Sequence, residues 1–164
     1  MIATERLDLL TLDAEAHRGL EAGRLDVVEG VVLPPDFPDG VPSALRIGQL
    51  GKDPTELPWL VRAVVLRAEA RAVGSAGFHA PPSDGLAELG YEIVAAERRR
   101  GYAREAVVGL MEWARGTGLV RRFRASIEPA NAASQALVAS LGFEHVGEQI
   151  DPVDGLEWVF ERPA

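Results

Sequence analysis

Arg98-Arg99-Arg100-Gly101-Tyr102-Ala103-Arg104 separates two patterns of different period. Before it, Leu86 to Val94 reads as a strand. After it, Ala103, Ala106, Val107, Leu110, Met111 and Ala114 recur at the spacing of a helix with one buried face. The first turn of such a helix leaves amides without intrahelical acceptors, and the helix dipole adds positive charge there. Gly101 lets the main chain approach a ligand closely, and Ala103 is nearly as small. Two neighbouring phosphates would take those amides together, so Arg98-x-x-Gly101-x-Ala103 predicts a pyrophosphate site. A solvated arginine face is the other reading of the same residues. Two other phosphate loops are absent: the only lysine, Lys52, precedes Asp53, and no G-x-G-x-x-G follows a strand.

Read with its neighbours, the segment resembles a known family. Leu89-Gly90-Tyr91-Glu92-Ile93-Val94 followed by Arg98-x-x-Gly101-x-Ala103 resembles the acetyl-CoA signature of the GNAT N-acetyltransferases. About thirty residues on, Asn131-x-x-Ser134-x-x-Leu137 ending in Leu141-Gly142-Phe143 resembles that family's second signature. Thr4-Glu5-Arg6-Leu7 and Leu9 look like the branch related to ribosomal-protein alanine acetyltransferases, and residues 20 to 58 match poorly. The resemblance implies acetyl transfer from acetyl-CoA to a primary amine, a protein N-terminus or a small amine, in a ternary complex. It implies that the amides from Arg98 through Arg99, Arg100, Gly101, Tyr102, Ala103 and Arg104 hold the pyrophosphate. A backbone N–H near Ile93 or Val94 would polarise the thioester carbonyl, in a gap between two diverging strands.

Within that resemblance the proton-handling groups stay open. A lysine-like amine is neutral about one part in a thousand at pH 7, an α-amine about one part in ten, so the first needs much more help from a base. Glu92 and Glu128 are the candidates, each at a strand end facing the expected gap, with a salt-bridged glutamate as the plain alternative; Glu88 is a third. Many members place a tyrosine after the leucine of the second signature, but Val138 stands here. Ser134 is the nearest replacement as acid, Tyr91 and Tyr102 belonging to other elements. Asn131 fits a CoA-orienting amide and a helix N-cap equally well. The competing functions are a catalytically silent acyl-CoA-binding module and an arginine-patch nucleic-acid binder, whose affinity would fall steeply with salt.

Composition narrows the classes. A chain of 164 residues is expected to be one domain, 1–164, with 47% hydrophobic residues and a net charge of −8. That charge argues against nucleic acid as partner, although eight arginines fall between Arg98 and Arg124. No apolar run nears the roughly 20 residues that cross a bilayer, and Glu5 and Asp8 do not suit a signal peptide. The absence of cysteine fits a cytoplasmic protein. His17, His79 and His145 are scattered without ligand spacing, so no metal is expected and each reads as a surface or packed residue. Partners are then acetyl-CoA and an amine, with no membrane, and a monomer or homodimer.

The remaining elements must position these groups. A strand is expected over 2–12 and a helix capped by Asp13 after it. The Pro- and Gly-rich segment from Gly30 to Pro58, with a short helix from Ser43 on Ala44, Ile47 and Leu50, should build much of the acceptor pocket; Phe37 and Trp59 line it or join the core. Strands over 59–67, 72–79 and 86–94 form an antiparallel meander. The helix then leads to a parallel strand over 120–128, a βαβ step. A helix over 132–141, facing inward on Ala133, Ala136, Leu137 and Leu141, precedes a closing hairpin about Asp151 to Gly155. The expected fold is α/β: a GNAT-like mixed sheet with antiparallel N-terminal strands, a βαβ acetyl-CoA core and a C-terminal hairpin.

Overall fold

The computed structural model describes residues 1–153 and 155–164, Pro38 by its main chain only. Asp154, within the expected closing turn, lies outside the described residues. The N-terminal strand is broken in two, β1 (Ile2–Ala3) and β2 (Leu7–Thr11), which pair antiparallel around Thr4 to Arg6. The break corrects the continuous strand expected over 2–12; Thr4 turns the chain by accepting the Leu7 amide at 3.1 Å. β3 (Arg62–Leu66) and β4 (Arg71–Phe78) follow antiparallel, then β5 (Leu86–Ile93). β6 (Arg122–Ile127) runs parallel to β5. β8 (Gly155–Pro163) lies between β6 and the edge strand β7 (Glu144–Asp151), antiparallel to both. Among the described residues the strands form one mixed eight-stranded sheet, ordered β1-β2-β3-β4-β5-β6-β8-β7.

Helices cover both faces, which explains why every residue of β3 is buried. Val64 and Leu66 point to one face and Ala63 and Val65 to the other, as strand alternation requires. The first face packs under α3 (Tyr102–Gly116) through the apolar stripe read from the sequence, although Ala103 is only half-buried. Gly109 makes that packing close: a Cβ there would lie 2.6 Å from Thr4 Cγ2. α1 (Ala14–Glu21) covers the second face, its first amides taken by Asp13 Oδ1 at 2.8 and 3.0 Å.

Two helix faces differ from expectation. α2 (Ser43–Lys52) buries Ser43, Arg46 and Leu50, while Ala44 points out. Arg46 turns inward because its guanidinium has acceptors there, Gln49 Oε1 at 2.6 Å and the His79 carbonyl at 2.7 Å. α4 (Ala132–Ser140) leaves Ala133 and Ala136 exposed and buries Val138 completely. Phe37 and Trp59 are both core residues, Trp59 edge-on to Phe78 and Trp113.

His17 is fully buried on α1, its Nδ1 3.1 Å from Ser43 Oγ. Burial, reinforced by the charge of Arg46, pushes this imidazole down from 6.5 to about 4. The unfolded chain therefore binds a proton between these values that the folded chain refuses, and stability falls as pH drops through that window. The linkage amounts to roughly 3 kcal/mol across it. Urea unfolding between pH 7 and 4.5 should show this loss, and His17→Leu should flatten the slope; an unchanged slope would exclude His17 as its source.

Candidate active site

The loop before α3 is built to leave its amides open. Gly101 has φ +83°, a left-handed conformation that favours glycine, and only Arg6 Nη2 comes within 4 Å of where a Cβ would stand, at 3.4 Å. Arg99 adopts φ +63°, which for a residue with a side chain costs about 1 kcal/mol. No side chain caps α3, in contrast to α1 and to α4, whose Ser134 amide is taken by Asn131 Oδ1 at 3.1 Å. The first closed turn of α3 runs from the Glu105 amide to the Gly101 carbonyl. The amides of Tyr102, Ala103 and Arg104 thus have no acceptor among the described residues.

The arginines divide by role. Arg98 folds back onto β5, donating from Nε to the Ile93 carbonyl at 2.9 Å and from Nη2 to Glu92 Oε1 at 3.4 Å. Arg100 reaches buried Glu97, which also takes Arg71 Nη1 at 2.8 Å. Arg99 and Arg104 line a cleft of about 870 Å³ and form no ion pair among the described residues. Arg98 lines the same cleft while paired to Glu92, and Arg100 lies outside its lining.

A clamp from the N-terminal hairpin holds the loop, and the sequence offered it only as the Thr4-Glu5-Arg6 resemblance. Glu105 accepts from the Thr4 hydroxyl at 2.5 Å, the Arg6 amide at 2.7 Å and Arg6 Nε at 2.7 Å. Burial alone would raise the Glu105 carboxyl, but these three donors outweigh it and hold it below the usual carboxylate range. Arg6 also donates to the Arg100 carbonyl and lies over the Tyr102 ring, 4.7 Å from its centre.

From the loop the cleft follows α3 and α4 to the place where β5 and β6 part. Their parallel ladder consists of Leu86–Arg122, Ala87–Phe123 and Glu88–Arg124 and then stops, although β5 continues to Ile93 and β6 to Ile127. The Val94 amide donates to the Val73 carbonyl at 3.1 Å, so it is not free to polarise a ligand. Strand alternation turns the Ile93 and Tyr91 amides to the gap instead. A second cavity of about 680 Å³ lies beyond the gap. The two cavities adjoin, sharing Tyr91, Glu92, Glu128, Asn131 and Ser134.

Of the catalytic candidates, Glu92, Glu128 and Ser134 thus converge on the junction, with Glu92 already paired to Arg98. Asn131 caps α4 and also lines both cavities. Sequence reasoning set Tyr91 aside, yet its hydroxyl crosses the gap to the Ser134 carbonyl at 3.4 Å. Burial raises this phenol, so it remains a donor at neutral pH. Among the described residues of 20 to 58, only Gly40, Pro42 and Arg46 line the second cavity, far fewer than expected. Its other walls come from β4, β5, β6, the start of α4 and the β7–β8 hairpin.

Residues 42–144 match the acetyltransferase (GNAT) domain family. The chain belongs to the GNAT family. Two curated N-acetyltransferases of this kind are similar over part of their length. YjdG of Bacillus subtilis is 35% identical over 81 residues, 49% of this chain and 48% of its own. The p20 protein of Bacillus licheniformis is 29% identical over 85 residues, 51% and 48% respectively. The GNAT chain thus spans about half the length of the curated relatives it matches. A GnaT-family acetyltransferase of Bordetella pertussis superposes with TM-score 0.70 at 21% identity, over 98% of both chains. The ribosomal-protein-S5-alanine acetyltransferase of Vibrio fischeri gives 0.67 at 16% identity, over 98% of this chain and 94% of that one. The self-immunity acetyltransferase MccE, solved with acetyl-CoA and AMP, gives 0.66 at 15%, over 98% and 93%. At these identities the structures establish the shared fold.

The open amides, the glycine with room above it and the two unpaired arginines fit a diphosphate. Gly101→Glu should abolish CoA binding by calorimetry while leaving a cooperative melt, because it sets a carboxylate and a strained φ against the phosphates; retained binding would refute the site. Glu105→Ala should lower stability by about 1–2 kcal/mol, as loss of a partly buried charged acceptor does, and weaken CoA through the loosened loop. Unfolding energies within 0.5 kcal/mol of the unmodified chain would contradict the clamp.

Proposed function

We propose that this GNAT chain, as one domain over 1–164, transfers acetyl from acetyl-CoA to a primary amine in a ternary complex. The observation that carries the reading is the meeting of two cavities on five residues at the mouth of the β5–β6 gap. The amides of Tyr102, Ala103 and Arg104, with Arg99 and Arg104, would hold the pyrophosphate. The cleft would lead the rest of the molecule past Leu137 and Ser134 to the junction. Bound there, acetyl-CoA supplies an acetyl carbonyl activated as a thioester.

The chain's groups then act at stated atoms. The Ile93 amide faces the gap as a donor to developing charge on a carbonyl oxygen, a contact worth about 3 kcal/mol in such sites. The Tyr91 and Ser134 hydroxyls stand as donors toward a departing sulfur. The second cavity is lined by Glu92, Glu128 and Glu157 against the guanidinium of Arg46, a field that attracts a cationic amine. Glu92 and Glu128 serve there to draw in and orient the ammonium. The fold likeness to a ribosomal-protein alanine acetyltransferase supports a protein N-terminus as one acceptor to try.

The experiment is thiol release from acetyl-CoA against an alanyl-ended peptide, a seryl-ended peptide, spermidine and free lysine. Turnover should appear with at least one. If peptides and lysine both react, the α-amine should lead at pH 7, since about a hundredfold more of it is neutral. Tight CoA binding with no thiol release on any acceptor would favour the silent acyl-CoA-binding module instead.

A further inference from the structure

We infer that His79 is the general base for the acceptor amine and that Glu88 positions it, an inference that rests on the acetyl-transfer reading above. His79 directly follows β4, and its main chain is fixed on both sides. Its amide donates to the Glu88 carbonyl at 2.9 Å. Its own carbonyl accepts from buried Arg46 Nη1 at 2.7 Å and from Gln49 Nε2 at 2.9 Å. The imidazole itself is half-exposed and lines the acceptor cavity.

Two contacts set the orientation of the ring. Nε2 lies against β5 at Gly90, where a Cβ would stand only 3.0 Å from it, so the absence of a side chain at 90 makes room for the imidazole. Gly90 is two residues past Glu88, the last β5 residue paired to β6, so the ring sits where the strands begin to part. Nδ1 faces Glu88 Oε1 at 4.0 Å. That oxygen accepts the Ser126 hydroxyl at 2.5 Å, and Gln149 Nε2 donates to the same hydroxyl oxygen at 3.0 Å. The carboxylate is therefore held by β6 and β7 while it faces the histidine. It favours the tautomer with hydrogen on Nδ1, which leaves the Nε2 lone pair for the cavity. A separation of 4.0 Å is the kind that tightens to a hydrogen bond when substrate closes the site.

The charge around the ring suits a base that becomes cationic. Besides Glu88, the cavity it lines holds Glu92 of β5, Glu157 of β8 and Glu128 just past β6, against Arg46 on α2. As a class, imidazoles hold a proton about two pH units above carboxylates, which makes them the better match for an ammonium donor. Glu92, already paired to Arg98, is less available for the role. In the step, the ammonium of the acceptor gives one proton to His79 Nε2. Its nitrogen forms the amide bond to the acetyl carbon as the carbon–sulfur bond breaks. The nitrogen's second proton leaves on the sulfur, so that ammonium, acetyl-CoA and imidazole become amide, CoA thiol and imidazolium.

The test uses the full chain, acetyl-CoA and the panel acceptor that turns over fastest. His79→Gln should lower kcat about 100-fold or more at pH 7, the usual weight of a general base, with CoA affinity and melting temperature unchanged. The acid limb of kcat/KM should disappear with it, and added imidazole should restore part of the activity of His79→Ala. Glu88→Gln should lower kcat about tenfold with KM for acetyl-CoA unchanged. Full activity in His79→Gln with CoA still bound, or an unchanged kcat in Glu88→Gln, overturns the assignment alone. Failure of the unmodified chain to bind CoA removes the acetyl-transfer reading, and the base with it.

Discussion

Three residue pairs hold β5 to β6, and then the two strands part while each keeps its outer neighbour. β5 stays on β4 as far as Ile93–Gly74, and β6 stays on β8 as far as Ile127–Trp158. The inner edges beyond Glu88 and Arg124 therefore present main-chain donors and acceptors in the middle of a sheet. Buried polar groups of this kind require partners. Among the described residues nothing zips them; the Tyr91 hydroxyl and the Arg98 guanidinium each cross or cover one point of the opening. An extended ligand with its own amides, such as the pantetheine arm of CoA in the proposed reading, would complete the ladder.

Charge divides along the same line. The chain carries a net charge of −8, yet cations collect on the α3 side of the gap and carboxylates line the acceptor side. Among the described residues Arg99 and Arg104 have no internal anion to neutralise, whereas Arg98, Arg100 and Arg6 are each tied to a glutamate that fixes the loop. A polyanion and an ammonium would thus approach from opposite sides and meet at the residues both cavities share. Orientation by opposed fields needs no new contact at the reacting atoms, which suits a site whose shared residues are a tyrosine, a serine, an asparagine and two exposed glutamates.

Local signals carried a large part of this into the sequence. The period change at Gly101, the Asp13 and Asn131 caps and the βαβ step around α3 each depend on residues close in the chain, and each is present. What escaped depends on distance. His79 reads as a lone surface histidine until β5 brings Gly90 and Glu88 beside it. Tyr91 belongs to a strand, and only the tertiary packing of α4 carries Ser134 to its hydroxyl. Arg46 defied its hydrophobic pattern because its acceptors come from another element, and Ala133 and Ala136 are apolar without being needed by any core. The Pro- and Gly-rich segment gave few periodic signals, and it proves to supply a rim to the acceptor cavity where a wall was expected.

The most direct measurement is amide chemical-shift mapping of the ¹⁵N-labelled chain on titration with CoA. The account predicts the largest changes at Gly101, Tyr102, Ala103 and Arg104, with a second group at Tyr91 and Ile93 along the open edge of β5. Shifts that leave both groups unmoved while CoA binds elsewhere would contradict it.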